Sequence, residues 1–250
     1  MPNRVSSQSF SSKLPTVTAL FWLIKIITTG MGEAASDFLV RSLGNYLAVG
    51  LGAIVFAAAL VAQFRIKTYS KWVYWLAVAM VSVFGTMAAD ILHMGFGVTY
   101  LASAIFFSVA LAALFLIWWR VEGAIAITSV TTRRREYFYW LTVLTTFALG
   151  TAAGDMTART MNLGYLSSGF MFGLAFALPL LAYAFGWRFH TIWFWLAYIA
   201  TRPFGASFAD WVGAEPLKGG LGFGFGNITL TLTVALIALV ALTSRQNKVA

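Results

Sequence analysis

One pattern constrains this chain more than any other: an aromatic residue and Trp, nine residues, Gly, four residues and Asp, written four times in apolar sequence. The copies are "FWLIKIITTGMGEAASD" ending at Asp37, "YWLAVAMVSVFGTMAAD" at Asp90, "YWLTVLTTFALGTAAGD" at Asp155 and "FWLAYIATRPFGASFAD" at Asp210. With only eight acidic residues in the chain, four carboxylates at one register are not coincidence. Self-similarity of this kind marks a repeat architecture. The Trp-to-Trp intervals of 53, 65 and 55 residues place the extra length in "RVEGAIAITSVTTRRRE", between the second and third copies. Two halves of two copies each follow, related by a pseudo-fourfold or pseudo-twofold axis.

Each copy is long enough for two membrane spans. Apolar segments near 18–39, 45–64, 71–92, 98–119, 137–157, 164–187, 191–211 and 223–243 match a hydrocarbon core of about 30 Å. A composition 60% hydrophobic and 10% charged, with a mean hydropathy of +0.81, excludes an ordinary soluble domain. The expected fold is all-α: eight transmembrane helices formed by four parallel two-helix repeats. The division is 1–14 disordered cytoplasmic tail, 15–68 repeat 1, 69–120 repeat 2, 121–136 cytoplasmic linker, 137–188 repeat 3 and 189–250 repeat 4 with the C-terminal tail. The second helix of each copy opens on small residues, in "LGNYLAVGLG", "FGVTYLASA", "LGYLSSGFM" and "FGFGNITLTL", which allow close helix packing.

Both tails and the loops after the second, fourth and sixth spans hold twelve of the seventeen Lys and Arg. By the positive-inside rule both termini are cytoplasmic. The net charge of +9 then calls for anionic lipid headgroups rather than nucleic acid, with "TRRRE" at 132–136 the expected contact. The N-terminal stretch lacks a secretory signal. Cysteine is absent, so disulfides and thiolate chemistry are excluded.

Trp22, Trp75, Trp140 and Trp195 begin the odd-numbered spans and read as interfacial anchors. The Asp fifteen residues later lies about 22 Å further along the axis, at ~1.5 Å per residue. Positions eight and four residues before each Asp share its face, giving Thr29–Glu33–Asp37, Ser82–Thr86–Asp90, Phe147–Thr151–Asp155 and Arg202–Ala206–Asp210. Polar stripes on apolar helices turn toward protein or water, not lipid. Lys25 is expected to snorkel to the cytoplasmic face. Arg202, followed by the kinking Pro203, is the deepest cation and is assigned to Glu33. The remaining carboxylates must share protons or bind a cation.

The candidate cation- and proton-binding residues are therefore Glu33, Asp37, Asp90, Asp155 and Asp210. Thr29, Ser82, Thr86 and Thr151 are secondary ligands, and Arg202 is the charge partner. His93, three residues past Asp90, is a possible metal ligand, whereas His190 lies at the opposite face. Oxygen donors favour hard ions such as Mn²⁺, Mg²⁺ or Ca²⁺, or protons alone. No nucleotide-binding loop, Ser-His-Asp order or paired-histidine helix motif is present, so an enzyme is not expected.

The stretches "FWLIKIITTGMGEAASD", "RREYFYWLTVLTTFALGTAAGD", "FWLAYIATRPFGASFADW" and "GGLGFG" resemble a family of bacterial membrane-anchored proteins built from a short repeat of unknown function. The likeness covers nearly the whole chain outside the N-terminal tail. It implies a bacterial inner-membrane protein and supplies no activity. In the family pattern a His falls in the linker where this chain has "AITS", which weakens a linker metal site. The sequence thus favours a transporter or channel moving a hard divalent cation in exchange for protons. The alternative is a structural, accessory or sensor subunit whose repeat Asp residues cap helices. Membrane lipid and the cation are the expected partners, an oligomer is possible, and no cofactor is expected beyond a possible divalent metal ion.

Overall fold

The computed structural model describes residues 13–243. Eight α-helices follow one another: α1 (Ala19–Leu43), α2 (Asn45–Arg65), α3 (Lys71–Phe96), α4 (Tyr100–Glu122), α5 (Arg133–Asp155), α6 (Gly164–Ala184), α7 (His190–Gly213) and α8 (Phe225–Leu242). No strand occurs among the described residues. Five helices, α2, α3, α4, α6 and α8, are long and apolar enough to cross a membrane. The other three carry charged residues, including Lys25, Glu33, Arg202 and Asp210, that lower their hydropathy. The exposed surface is rich in Leu, Ile, Val and Phe, notably along α2, α4, α6 and α8. Apolar surface on this scale points to a lipid or protein covering and agrees with a multi-pass membrane protein.

The odd-numbered helices form an inner ring in the order α1, α3, α5, α7 and back to α1, and the even-numbered helices lie outside it. Each outer helix packs chiefly on the inner helix of the following copy: α2 on α3, α4 on α5, α6 on α7, and α8 on α1. The last helix therefore closes the circle. Contacts within a copy, such as α1 with α2 across the single-residue turn at Gly44, are less extensive.

The repeat's Trp and Gly build this ring at two levels. At one end the aromatic residue before each Trp meets the next copy's Trp. Phe21–Trp75, Tyr74–Trp140, Tyr139–Trp195 and Phe194–Trp22 have ring centroids 5.7, 5.8, 6.3 and 5.6 Å apart. Their interplanar angles of 48°, 49°, 49° and 50° describe one contact repeated around an axis. The expectation that these Trp are interfacial anchors is overturned, because each is at most 5% exposed. An amphipathic ring at a span end suits an interface and a helix seam equally, and here the aromatic neighbour supplies the seam. The exposed aromatics at this end include Trp72, Trp119, Tyr137, Phe185, Trp187 and Phe189.

One tier further along, the glycines let the backbones meet. A Cβ on Gly32 would sit 1.8 Å from Ser82 Oγ, on Gly85 2.8 Å from Phe147 Cβ, on Gly150 2.3 Å from Arg202 Cγ, and on Gly205 2.0 Å from Thr29 Oγ1. In every case the glycine of one copy faces the position seven residues past the Trp of the next. Small residues here are obligatory, since a methyl group has no space to enter.

Several boundaries differ from the sequence reading. The span expected to start at 137 begins at Arg133, with Thr132 as N-cap accepting from the Arg135 amide at 3.3 Å. "TRRRE" is thus the N-cap and first turn of α5 and not part of a free linker. Arg135 holds Glu122 at 2.8 Å, Arg134 also pairs with Glu122, and the linker folds back on α4. Beyond Asp155 the chain continues as a π-helical turn, Met156–Thr160, in place of a loop. Most of the expected N-terminal tail and the C-terminal residues beyond 243 lie outside the described residues. Lys13 and Leu14, however, are packed: Leu14 is buried and Lys13 Nζ lies 2.7 Å from Glu136.

The ring contacts predict a contrast among glycine variants. Gly150→Ala and Gly205→Ala each force a neighbour aside and should destabilise the protein by about 1–3 kcal/mol. Gly50→Ala, on an exposed face of α2 with nothing within 4 Å, should be neutral or stabilising by up to ~1 kcal/mol. Thermal unfolding of the detergent-solubilised variants measures the difference.

Candidate functional site

Inside the ring, side chains four residues apart on each inner helix stack into tiers, as helical geometry requires. The first tier holds Lys25, Val78, Val143 and Tyr198, and the second Thr29, Ser82, Phe147 and Arg202. The third holds Glu33, Thr86, Thr151 and Ala206, and the last Asp37, Asp90, Asp155 and Asp210. Every residue of the first three tiers is buried.

Arg202 is the hub of the column. Its Nη2 donates to Glu33 Oε2 at 2.6 Å, to Thr151 Oγ1 at 2.8 Å and to Thr86 Oγ1, and its Nη1 donates to the Thr29 carbonyl at 3.4 Å. A single guanidinium thus bonds to the third-tier residues of the other three copies. Those two hydroxyls, expected as secondary ligands, accept from the guanidinium. Thr29 Oγ1 donates to the carbonyls of Ile26 at 2.7 Å and Thr201 at 3.1 Å, and Ser82 Oγ is buried without a partner against Gly32.

Lys25 does not snorkel. It is 1% exposed, and its ammonium lies 4.0 Å from the Phe147 ring centroid and 4.2 Å from that of Tyr198, with no hydrogen bond. The end of the bundle it would reach is closed by the aromatic tier, where Tyr74 and Tyr139 share a 2.7 Å hydroxyl hydrogen bond. Cation–π attraction gives partial compensation for lost hydration. Phe147 also receives the Arg202 guanidinium, whose Cζ is 5.4 Å from its centroid, so one ring separates two buried cations. The filled tiers leave no open pore through the ring.

In the last tier Asp155 and Asp210 are buried, and Asp37 and Asp90 are partly buried. Asp37 and Asp155, from diagonally opposite helices, are each tied to the arginine four residues later, by Arg41 at 3.3 Å and Arg159 at 3.2 Å. Both arginines lie beyond the apolar segments expected at 18–39 and 137–157. Asp90 and Asp210, the other diagonal, have Met94 and Ala214 in that place and make no hydrogen bond or ion pair among the described residues. The four aspartates and Glu33 lie within electrostatic reach of one another. No three His, Cys, Asp or Glu side chains among the described residues converge closely enough to hold a metal ion.

His93 is engaged elsewhere. Its Nδ1 lies 2.8 Å from the Val98 carbonyl and its ring stacks on Tyr100 at 3.8 Å, which makes it a brace for the turn between α3 and α4. Tyr100 Oη in turn accepts from Arg159 at 2.9 Å, linking that brace to Asp155. Capping by the repeat aspartates is not observed either. The N-cap residues of the outer helices are Gly44, Thr99, Leu163 and Gly224. Tyr198 escaped the sequence reading, which placed Lys25 at the span end and Phe147 in a stripe without seeing that the two rings enclose the ammonium. The i, i+4 spacing of Asp37 with Arg41 and of Asp155 with Arg159 was a legible signal.

Neither a curated protein nor a solved structure matches the chain. The comparison with families does match, in four segments, 20–69, 73–124, 138–188 and 193–248, each containing one inner helix and the outer helix after it. Tandem matches over nearly the whole described chain agree with the ring's four equivalent contacts. The chain belongs to the family described as Repeat of Unknown Function (DUF347).

Proposed function

We propose that this protein is a proton-coupled transporter of a hard cation, built from eight transmembrane helices in four parallel two-helix repeats. It resides in a bacterial inner membrane with both termini cytoplasmic. The last-tier carboxylates supply the cation-accepting face. The observation that carries the reading is the unequal treatment of four equivalent aspartates: one diagonal is paired directly with Arg41 and Arg159, and the other, Asp90 and Asp210, has no direct ion pair among the described residues and feels Arg159 only at a distance. Carboxylates repelling one another at a membrane surface exchange a proton for a cation without further machinery.

The eight-span topology rests on the similar lengths of α1, α5 and α7, which have 25, 23 and 24 residues and are sheathed by apolar outer helices. The cytoplasmic assignment follows the cationic end of the bundle. Movement through the axis requires the Arg202–Glu33 tier to open, so the described state is occluded. A divalent ion would need the last tier to contract around it. The packed axis favours a second reading, a non-transporting structural or sensor subunit.

Proteoliposomes carrying a pH-sensitive dye separate the two. The wild-type protein should support cation-dependent proton flux, tested with Mn²⁺, Mg²⁺, Ca²⁺, Na⁺ and K⁺. Asp90→Asn with Asp210→Asn should reduce that flux at least about tenfold, while relieving like-charge repulsion and leaving thermal stability equal or higher. Flux no greater than in protein-free vesicles, or unchanged in the double variant, rejects transport.

Lys25→Met gives an independent check. Replacing an unbonded buried ammonium with an apolar side chain of similar shape should raise stability by ~1 kcal/mol or more. Lower proton flux in that more stable protein identifies Lys25 as a proton station, whereas unaltered flux identifies a purely structural residue.

A further inference from the structure

At the opposite end from the aspartates, three separate segments converge on a cavity of about 160 Å³. Arg65 and Lys67 come from the end of α2 and the turn after it, Thr132 and Arg133 from the start of α5, and Lys13 from the segment preceding α1. Glu136 is the acidic residue lining it, and it is already satisfied by Lys13 Nζ at 2.7 Å and by Gln63 Nε2 at 3.1 Å. Arg65, Lys67 and Arg133 make no hydrogen bond or ion pair among the described residues. Their neighbours Arg134 and Arg135 are consumed by Glu122, whereas these three basic side chains come together at one cavity.

We infer that this cavity binds a phosphate group, either the phosphodiester of an anionic lipid headgroup or free phosphate. Two guanidinium forks and an ammonium surround a volume suited to a tetrahedral oxyanion, and guanidinium matches phosphate oxygens bidentately. Arg133 is the first residue of α5, so the positive end of that helix faces the same space. Exposed Tyr137 and Trp72 lie at the same end of the bundle, which sets the cavity at headgroup depth and favours the lipid source. The pocket joins α2 to α5, two helices of different repeats, so an occupant stitches the two halves together where the linker interrupts the repeat.

The test uses purified, delipidated full-length protein. Its thermal unfolding midpoint is followed during titration with phosphatidylglycerol in mixed micelles and, separately, with inorganic phosphate. Three proteins are compared: wild type, Arg65→Gln with Arg133→Gln, and a control with Arg120→Gln and Arg188→Gln at the same end but outside the cavity. All four positions are exposed, so the fold tolerates the changes. Lys67→Gln provides a second, single-site pocket variant. A saturable upward shift with phosphatidylglycerol in wild type and control, about tenfold weaker in the pocket variants, supports the lipid phosphodiester. The same pattern with inorganic phosphate alone assigns free phosphate as the source. Equal weakening in the control variant, or no saturable shift with either probe, overturns the site.

Discussion

The structure depends on the close approach of inner helices at Gly32, Gly85, Gly150 and Gly205. Each glycine yields its Cβ space to a side chain of the next inner helix, and each partner lies seven residues past that helix's Trp. Without a hydrophobic driving force between helices in lipid, such packing is the main source of specific association. The aromatic contacts at one end and the glycine contacts one level further fix the rotation of every inner helix. That rotation aims the tiers inward. The chemistry of the axis therefore follows from a packing rule, and changing a single glycine would move charged residues as well as backbone.

Symmetry of the frame and asymmetry of the contents have separate origins. Four equivalent positions in the second tier are occupied by Thr29, Ser82, Phe147 and Arg202, which differ in size, polarity and charge. One large cation can occupy a fourfold axis only if the other copies supply small or accepting groups around it. Thr86 and Thr151 do so with hydroxyls, Glu33 with a carboxylate, and Ala206 leaves room on the cation's own helix. The departure at Ala206 from the polar stripe is thus the complement of Arg202. A buried pair of this kind is costly to desolvate and gains little net stability over an apolar core. Its bonds to three other copies instead specify one arrangement of the four.

The equivalence of the four inner helices was legible because Trp, Gly and Asp recur at constant spacing, which predicts shared depth and a shared face. The Arg202–Glu33 contact was legible for the same reason, as the deepest cation and the carboxylate one tier away. Lys25 was not, because its burial depends on whether the aromatic tier closes the end of the bundle. Trp22 by itself reads equally as interface anchor or seam. Pairing each outer helix with the following copy was also hidden, since hairpin proximity along the chain suggests the opposite. Nothing in "MTART" announces a π turn. That turn carries Arg159 where it meets both Asp155 and Tyr100, so the far end of α5 acquires a partner that composition places in solvent.

The two ends of the bundle finally answer one electrostatic problem in different ways. At the acidic end, helix C-termini and carboxylates bring like charge together, and only one diagonal receives compensating arginines. At the basic end, Glu122 and Glu136 neutralise Arg134, Arg135 and Lys13, while Arg65, Lys67 and Arg133 remain unpaired beside the cavity. Between them Arg202 is neutralised by Glu33, whereas Lys25 faces only aromatic rings. Beyond exposed surface arginines such as Arg120 and Arg188, the charge without a direct ion pair gathers at a pair of aspartates, one buried amine and one basic cavity. Such charges bear directly on function, because the fold incurs the cost of holding them without gaining packing in return.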